Sequence, residues 1–136
     1  MHRRALALAA ALLALAPGAC ARRDAAPDVA YRAFARAVSE RDGERAWSML
    51  SADTQAWLEA RARAAAQAAP GVVPPSARQL LIGDAALAAR PLASALTLRE
   101  SADRAVVEVT LQGGEKREAE LVREGGSWRV RLPEPR

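Results

Sequence analysis

Leu92-Ala-Ser-Ala-Leu-Thr-Leu98, Ala105-Val-Val-Glu-Val-Thr-Leu111, Arg117-Glu-Ala-Glu-Leu-Val-Arg123 and Trp128-Arg-Val-Arg-Leu132 are four successive runs in which apolar residues alternate with polar ones. Alternation with a period of two marks strands that bury one face, and the turn residues between the runs mark hairpins. The stretch from Pro91 to Pro133 therefore predicts an antiparallel meander of four strands. A two-residue loop at Gly125-Gly126 pairs Arg123 with Trp128, Leu121 with Val130 and Ala119 with Leu132, and sets Glu120 opposite Arg131. That cross-strand charge pair is worth about 0.2–1 kcal/mol. The same loop length at Gly113-Gly114 would set Val109 against Glu118 and turn the following side chains to the wrong face. A three-residue loop, Gly113 to Glu115, is expected there instead, pairing Leu111 with Arg117 and Val109 with Ala119. The first hairpin is expected to close through Glu100-Ser-Ala-Asp103, with Leu98 opposite Ala105 and Leu96 opposite Val107. The predicted inward face is then Leu96, Leu98, Val107, Val109, Leu111, Ala119, Leu121, Val130 and Leu132. Glu108, Glu118 and Glu120 fall on the other face.

Upstream, the apolar period changes to that of helices. Pro27 suits a first helical position. Val29, Ala30, Ala33, Phe34, Ala37 and Val38 form one stripe from Asp28 to Glu40, opposite Arg32, Arg36 and Glu40. Asp42-Gly43 is expected to end that helix, with Gly43 in the left-handed position. A short helix follows from Glu44 to Leu50, carrying Ala46 and Trp47. A third runs from Thr54 to about Ala68 with Trp57 and Leu58, capped by Ser51 or Asp53. After Pro70-Gly71 and Pro74-Pro75, Ser76-Ala-Arg-Gln79 reads as a capping box that opens a helix to Ile82, stopped by Gly83. Helices first and sheet last define an α+β fold, with N-terminal helices packed on a four-stranded antiparallel meander.

The chain of 136 residues is 51% hydrophobic and 26% charged, the balance of one globular domain. Its formal charge of +4 rests on nineteen Arg and the single Lys116, spread among sixteen acids. No basic stripe interleaved with aromatics appears, so nucleic-acid binding is not expected. Met1-His2-Arg3-Arg4 followed by an Ala/Leu stretch from Ala5 to Ala16 is a signal segment, too short to span a bilayer, which takes about 20 residues. Leu15-Ala-Pro-Gly-Ala-Cys20 resembles the lipobox of bacterial lipoproteins, with Pro17 where that family usually has Leu. The resemblance implies cleavage before Cys20, acylation of its thiol, and sorting to the outer membrane with the domain facing the periplasm. Ordinary signal cleavage after Ala21 is the alternative. The expected organisation is a signal peptide at 1–19, a lipidated tether at 20–26 and one domain at 27–133.

Removing residues 1–19 takes out Arg3, Arg4 and the chain's single histidine, His2, and leaves eighteen basic against sixteen acidic side chains, a difference of +2. With Cys20 acylated, no thiol nucleophile, Cys or His metal site or His base remains, so neither metal nor cofactor is expected. Phe34, Trp47 and Trp57 are the candidates for lining a pocket, against the plainer reading that they are core. Glu118, Glu120, Arg129 and Arg131 are the candidates for a partner surface, against a merely solvated strand face.

The order of these elements, with Asp42-Gly-Glu-Arg-Ala-Trp-Ser-Met-Leu-Ser51 among the helices and Glu124-Gly-Gly-Ser-Trp-Arg-Val130 near the end, resembles the cone-shaped superfamily of nuclear transport factor, ketosteroid isomerase and SnoaL-type proteins, and within it the small bacterial lipoproteins. The resemblance implies helices and a curved sheet around a pocket used for binding or for catalysis by an acidic base. No base transfers to a position here. A non-enzymatic envelope domain that binds a protein partner or a small apolar ligand is the leading expectation. A pocket enzyme of the isomerase or dehydratase type, using a buried carboxylate, is the alternative.

Overall fold

The computed structural model describes residues 25–88 and 90–134. The signal segment, Cys20 and the tether as far as residue 24 lie outside the described residues. Four helices precede four strands: α1 (Pro27–Ser39), α2 (Gly43–Ser48), α3 (Ala52–Ala68), α4 (Ala77–Ala88), β1 (Leu92–Glu100), β2 (Arg104–Leu111), β3 (Lys116–Glu124) and β4 (Ser127–Arg131). The strands form one antiparallel sheet in the order β1-β2-β3-β4, so the α+β meander is as the alternation predicts. One face of the sheet, through Ala95, Ala105, Val107, Val109, Leu111, Leu121, Trp128 and Val130, packs into a core with Phe34, Ala37, Val38, Ala46, Trp47, Leu50, Leu58 and Leu81 from the helices.

The third hairpin follows its expected register. Arg123 pairs with Trp128, Leu121 with Val130 and Glu120 with Arg131. Gly125 and Gly126 both have positive φ, 57° and 80°, as a primed two-residue turn requires. Ala119 does not meet Leu132 as a strand pair, because β4 ends at Arg131 and the Leu132 N–H turns to the Thr54 hydroxyl at 3.0 Å.

The second hairpin has its three-residue loop one position earlier than expected. Leu111 N–H donates to the Glu115 carbonyl at 2.8 Å, so the loop is Gln112-Gly113-Gly114. The loop's two positive-φ positions fall on the glycines, Gly113 at 106° and Gly114 at 89°, and Glu115 is free to close the pair. The register is thereby offset by two residues, with Val109 opposite Arg117 and Val107 opposite Ala119. An even offset preserves the faces, so the inward set on β2 and β3 stands.

The first strand does turn over. Glu100 pairs with Ala105 and Arg99 with Val106, but Thr97 pairs with Val107, so Leu98 is an extra residue in a bulge. One extra residue exchanges the two faces. Ala95 is buried at 3% exposure, whereas Leu96 and Leu98 are 61% and 41% exposed, which corrects their expected inward placement. A small residue in the inward position lets α1 approach the strand, and Arg32 Nη2 donates to the Ala95 carbonyl at 2.5 Å.

Both sheet edges are covered by polar contacts, which removes templates for pairing with another chain. On the β1 edge, Arg32 holds the Ala95 carbonyl and the Asp28 N–H donates to the Thr97 hydroxyl at 3.3 Å. On the β4 edge the segment after α2 adds a parallel bridge between Leu50 and Val130. There Ser51 N–H donates to the Val130 carbonyl at 2.9 Å, and Val130 N–H to the Met49 carbonyl at 2.8 Å.

The helix ends show which residues do the capping. Ser51, not Asp53, caps α3, accepting from Thr54 N–H at 3.3 Å. Asp42 caps α2 through Arg45 N–H at 3.1 Å. The left-handed residue between α1 and α2 is Arg41, at φ 56°, and Gly43 instead opens α2, where a Cβ would stand 3.5 Å from Ile82 Cγ1. The capping box is present: Gln79 N–H donates to Ser76 Oγ at 3.2 Å, and Ser76 N–H to Gln79 Oε1 at 2.8 Å. Gly83 does not stop α4, which runs through it to Ala88: its φ is not positive, and a glycine inside a helix costs only about 1 kcal/mol.

Candidate functional site

The helix aromatics occupy three different environments. Phe34 is buried on α1, with its ring centroid 6.1 Å from that of Tyr31 and the planes tilted by 56°. Trp47 is buried on α2, with the Arg78 guanidinium 4.9 Å from its ring centroid and its carbonyl accepting from Gln55 Nε2 at 2.8 Å. Trp57 is half-buried on α3 under Arg61, whose guanidinium carbon is 5.8 Å from the ring centroid. Phe34 and Trp47 belong to the continuous core and Trp57 packs against it, so these three side chains act as packing and do not line either of the two clefts described below.

The larger cleft is a groove of about 910 Å³ between the α1–α2 connection and the start of α4, lined by Arg41, Glu44, Ser76, Arg78, Gln79 and Ile82 among others. Its walls come from two local devices. Asp42 caps α2 and brings the side chain of Glu44 toward α4, and the capping box fixes the first turn of α4 with Arg78 beside it. Arg78 Nε lies 2.6 Å from Glu44 Oε1 and its guanidinium also covers Trp47, so one side chain joins the groove wall to the core. Gly43 and Ile82 form the floor, where α2 meets α4. The groove carries charges of both signs around an aliphatic floor, a surface suited to an extended polypeptide rather than to one small ion. Alternation and helical periodicity do not report this groove, because it arises where two capped helix starts meet.

The smaller cleft, about 310 Å³, opens on the outer face of the first hairpin among Arg99, Glu100, Ser101, Arg104 and Glu120. It belongs to a lattice of exposed ion pairs over that face: Arg99–Glu118 at 3.5 Å, Arg104–Glu120 at 3.4 Å, Lys116–Glu108 at 2.9 Å and Arg131–Glu120 at 3.5 Å. Arg129, the fourth of the sequence's partner-surface candidates, donates to the Ser48 carbonyl and ties β4 to α2. The candidates therefore compensate one another or the backbone, and each exposed pair contributes at most about 1 kcal/mol.

Among the described residues the buried polar side chains are Ser51 and Thr54, which hydrogen-bond to each other at 3.0 Å. Asp53, the carboxylate that lies between Trp47 and Trp57 in sequence, points outward, 78% exposed and 3.8 Å from Arg131 Nη2. Burial pushes the phenol pKa of Tyr31 up, and the nearby Arg117 charge partly opposes this. No group of three or more His, Cys, Asp or Glu able to hold a metal occurs among the described residues. No described helix is long and apolar enough to cross a membrane. In comparison with known proteins, no family model, curated protein or solved structure matches the chain.

Proposed function

We propose that this chain is an exported lipoprotein domain, anchored to the outer membrane through Cys20 and facing the periplasm, that binds a protein partner and carries out no reaction of its own. The observation that supports a protein partner over a small apolar ligand is the filled interior. The space between α1 and the sheet is taken up by Phe34, Ala37, Val38, Val107, Val109 and Leu121, all at most 5% exposed. The isomerase or dehydratase alternative needs an inward carboxylate, and the resemblance to the cone-shaped superfamily gives no position for one. A polypeptide segment carrying both charge signs is the occupant that the groove between α2 and α4 favours, because Arg41 and Glu44 face it from one side and Arg78 from the other.

Co-purification of the processed protein from its native envelope after mild cross-linking, read for both proteins and small molecules, tests this reading. A protein retained by the parent chain and lost on Arg41→Glu is expected. A stoichiometric small molecule with no retained protein would overturn it. The anchor is tested separately: intact mass of the membrane fraction should show diacylated Cys20 at the N-terminus, and an unmodified Arg22 N-terminus in the soluble fraction would refute it.

A further inference from the structure

Arg41 holds a backbone conformation that its residue type does not favour. Its φ of 56° is positive, which no other non-glycine residue shows among the described residues. The Arg41 N–H donates to the Val38 carbonyl at 3.0 Å and the Asp42 N–H to the Ala37 carbonyl at 2.9 Å, so α1 ends in a Schellman motif with Arg41 in its left-handed position. Glycine takes that position without strain, whereas a side chain there adds a steric cost. Strain of this kind gathers at functional sites, which points to a role for the Arg41 side chain beyond ending a helix. Its surroundings leave it uncompensated. Asp42 Oδ1 accepts from the Arg45 N–H at 3.1 Å and Glu40 Oε2 lies 3.7 Å from Arg45 Nη1, so both neighbouring carboxylates are turned to Arg45. Glu44 is held by Arg78 at 2.6 Å, and Ser76 and Gln79 bond each other in the capping box. Among the described residues the Arg41 guanidinium has no hydrogen-bond or ion-pair partner. It is exposed on the wall of the groove between α2 and α4.

The same contacts decide between occupants. The N–H groups of Arg41, Asp42 and Gly43 are all used, the last on the Arg41 carbonyl at 3.1 Å. An isolated phosphate or carboxylate would therefore meet one exposed guanidinium and no cradle of backbone donors, and a single exposed charge pair contributes little. An acidic side chain within an extended polypeptide gains more, because the chain beside it lays an apolar residue on Ile82, the half-buried aliphatic floor of the groove. At about 910 Å³ the groove is far larger than one anion fills. Its other cation, Arg78, is neutralised by Glu44, so Arg41 leaves the groove net positive and opposed to a basic segment. We propose, resting on the reading that this groove takes a polypeptide, that Arg41 is its anchor. The segment it receives carries an Asp or Glu set against the Arg41 guanidinium, with an aliphatic residue close by in sequence over Ile82.

Random dodecapeptides displayed on phage and selected against the processed protein are the probe. The recovered sequences should share an Asp or Glu with Leu, Ile or Val a few residues away. A synthetic copy of the most frequent sequence should bind Arg41→Gly about tenfold more weakly than the parent, the loss expected for a hydrogen bond to a charged group. Arg41→Gly should nevertheless melt above the parent, because glycine relieves the left-handed position, so the loss is not one of folding. Arg41→Gln, which keeps the backbone demand and removes the charge, should bind as weakly. Arg63→Ala, on an exposed position of α3 outside the groove, should bind as the parent does. Selection that yields no shared acidic residue overturns the proposal, as does equal binding to the parent and to both Arg41 variants. An equal loss in Arg63→Ala overturns it in favour of unspecific attraction between charges, and displacement of the peptide by millimolar inorganic phosphate in favour of a simple anion site. The two readings fail separately: an envelope protein retained equally by the parent and by Arg41→Gly overturns the anchor and leaves the protein-partner reading standing, whereas a stoichiometric small molecule with no retained protein overturns both.

Discussion

Both carboxylate oxygens of Glu124 lie within hydrogen-bond distance of the Ala52 N–H, at 3.2 and 3.1 Å, although the two residues are 72 positions apart. Ala52 is the first residue of α3 and Glu124 the last of β3, so the turn of the final hairpin caps a helix. A carboxylate at a helix N-terminus satisfies an orphan N–H and meets the positive end of the helix dipole.

Glu124→Ala should therefore lower stability by about 1 kcal/mol, as loss of a helix cap does. Thermal unfolding followed by circular dichroism reads this as a fall of roughly 4–8 °C for a domain of this size. A variant that melts with the parent would show that the cap is not formed in solution.

Trp128 is 6% exposed, with the Arg123 guanidinium carbon 4.5 Å from its ring centroid. Trp128→Ala should cost about 3–5 kcal/mol, read as a lower urea midpoint, because the last strand loses its largest buried side chain. An unchanged midpoint would place the ring outside the core and undo the register of the third hairpin.

The bulge at Leu98 makes a paired prediction. Leu96→Ser should change stability by no more than about 0.5 kcal/mol, as exposed substitutions do. Leu121→Ala, at a fully buried position, should cost about 2–5 kcal/mol. Comparable losses from both would mean that β1 runs without its bulge and that Leu96 faces the core.

Tyr31 is the chain's only tyrosine, so an ultraviolet absorbance titration follows it alone. Burial raises its folded pKa above the ordinary value near 10, with Arg117 working against the rise. The sign follows from linkage: the contribution is complete below the unfolded pKa and is lost as pH rises from there through the folded pKa. Stability should thus decline above about pH 10, and Tyr31→Phe should lessen that decline. A titration midpoint at or below the free value would refute the burial.

The chain's own alternation was enough to specify the meander. Val107, Val109, Leu121 and Val130 share one face, while Glu108, Thr110, Glu120, Arg129 and Arg131 fall with Val106 and Val122 on the other, so the more apolar face is the one that β2, β3 and β4 bury, and paired glycines mark where the later hairpins turn. Ser76 with Gln79, and Asp42 before Gly43, mark helix starts by chemistry that acts within a few residues. In Leu92-Ala-Ser-Ala-Leu-Thr-Leu98 both parities are apolar, leucine on one and alanine on the other, so periodicity leans toward the larger side chains. Tertiary packing decided otherwise, because α1 approaches close enough for Arg32 to reach the Ala95 carbonyl only over a small residue, and the bulge at Leu98 absorbs the mismatch. The aromatic residues divide in the same way. A helix face bearing Phe34, Trp47 or Trp57 has one spacing whether it lines a cavity or fills a core, and only the arrangement of α1, α2 and α4 against the sheet made Phe34 and Trp47 core. The groove beside Gly43 and Ile82 had no trace in the sequence, since it lies between segments that no local pattern brings together.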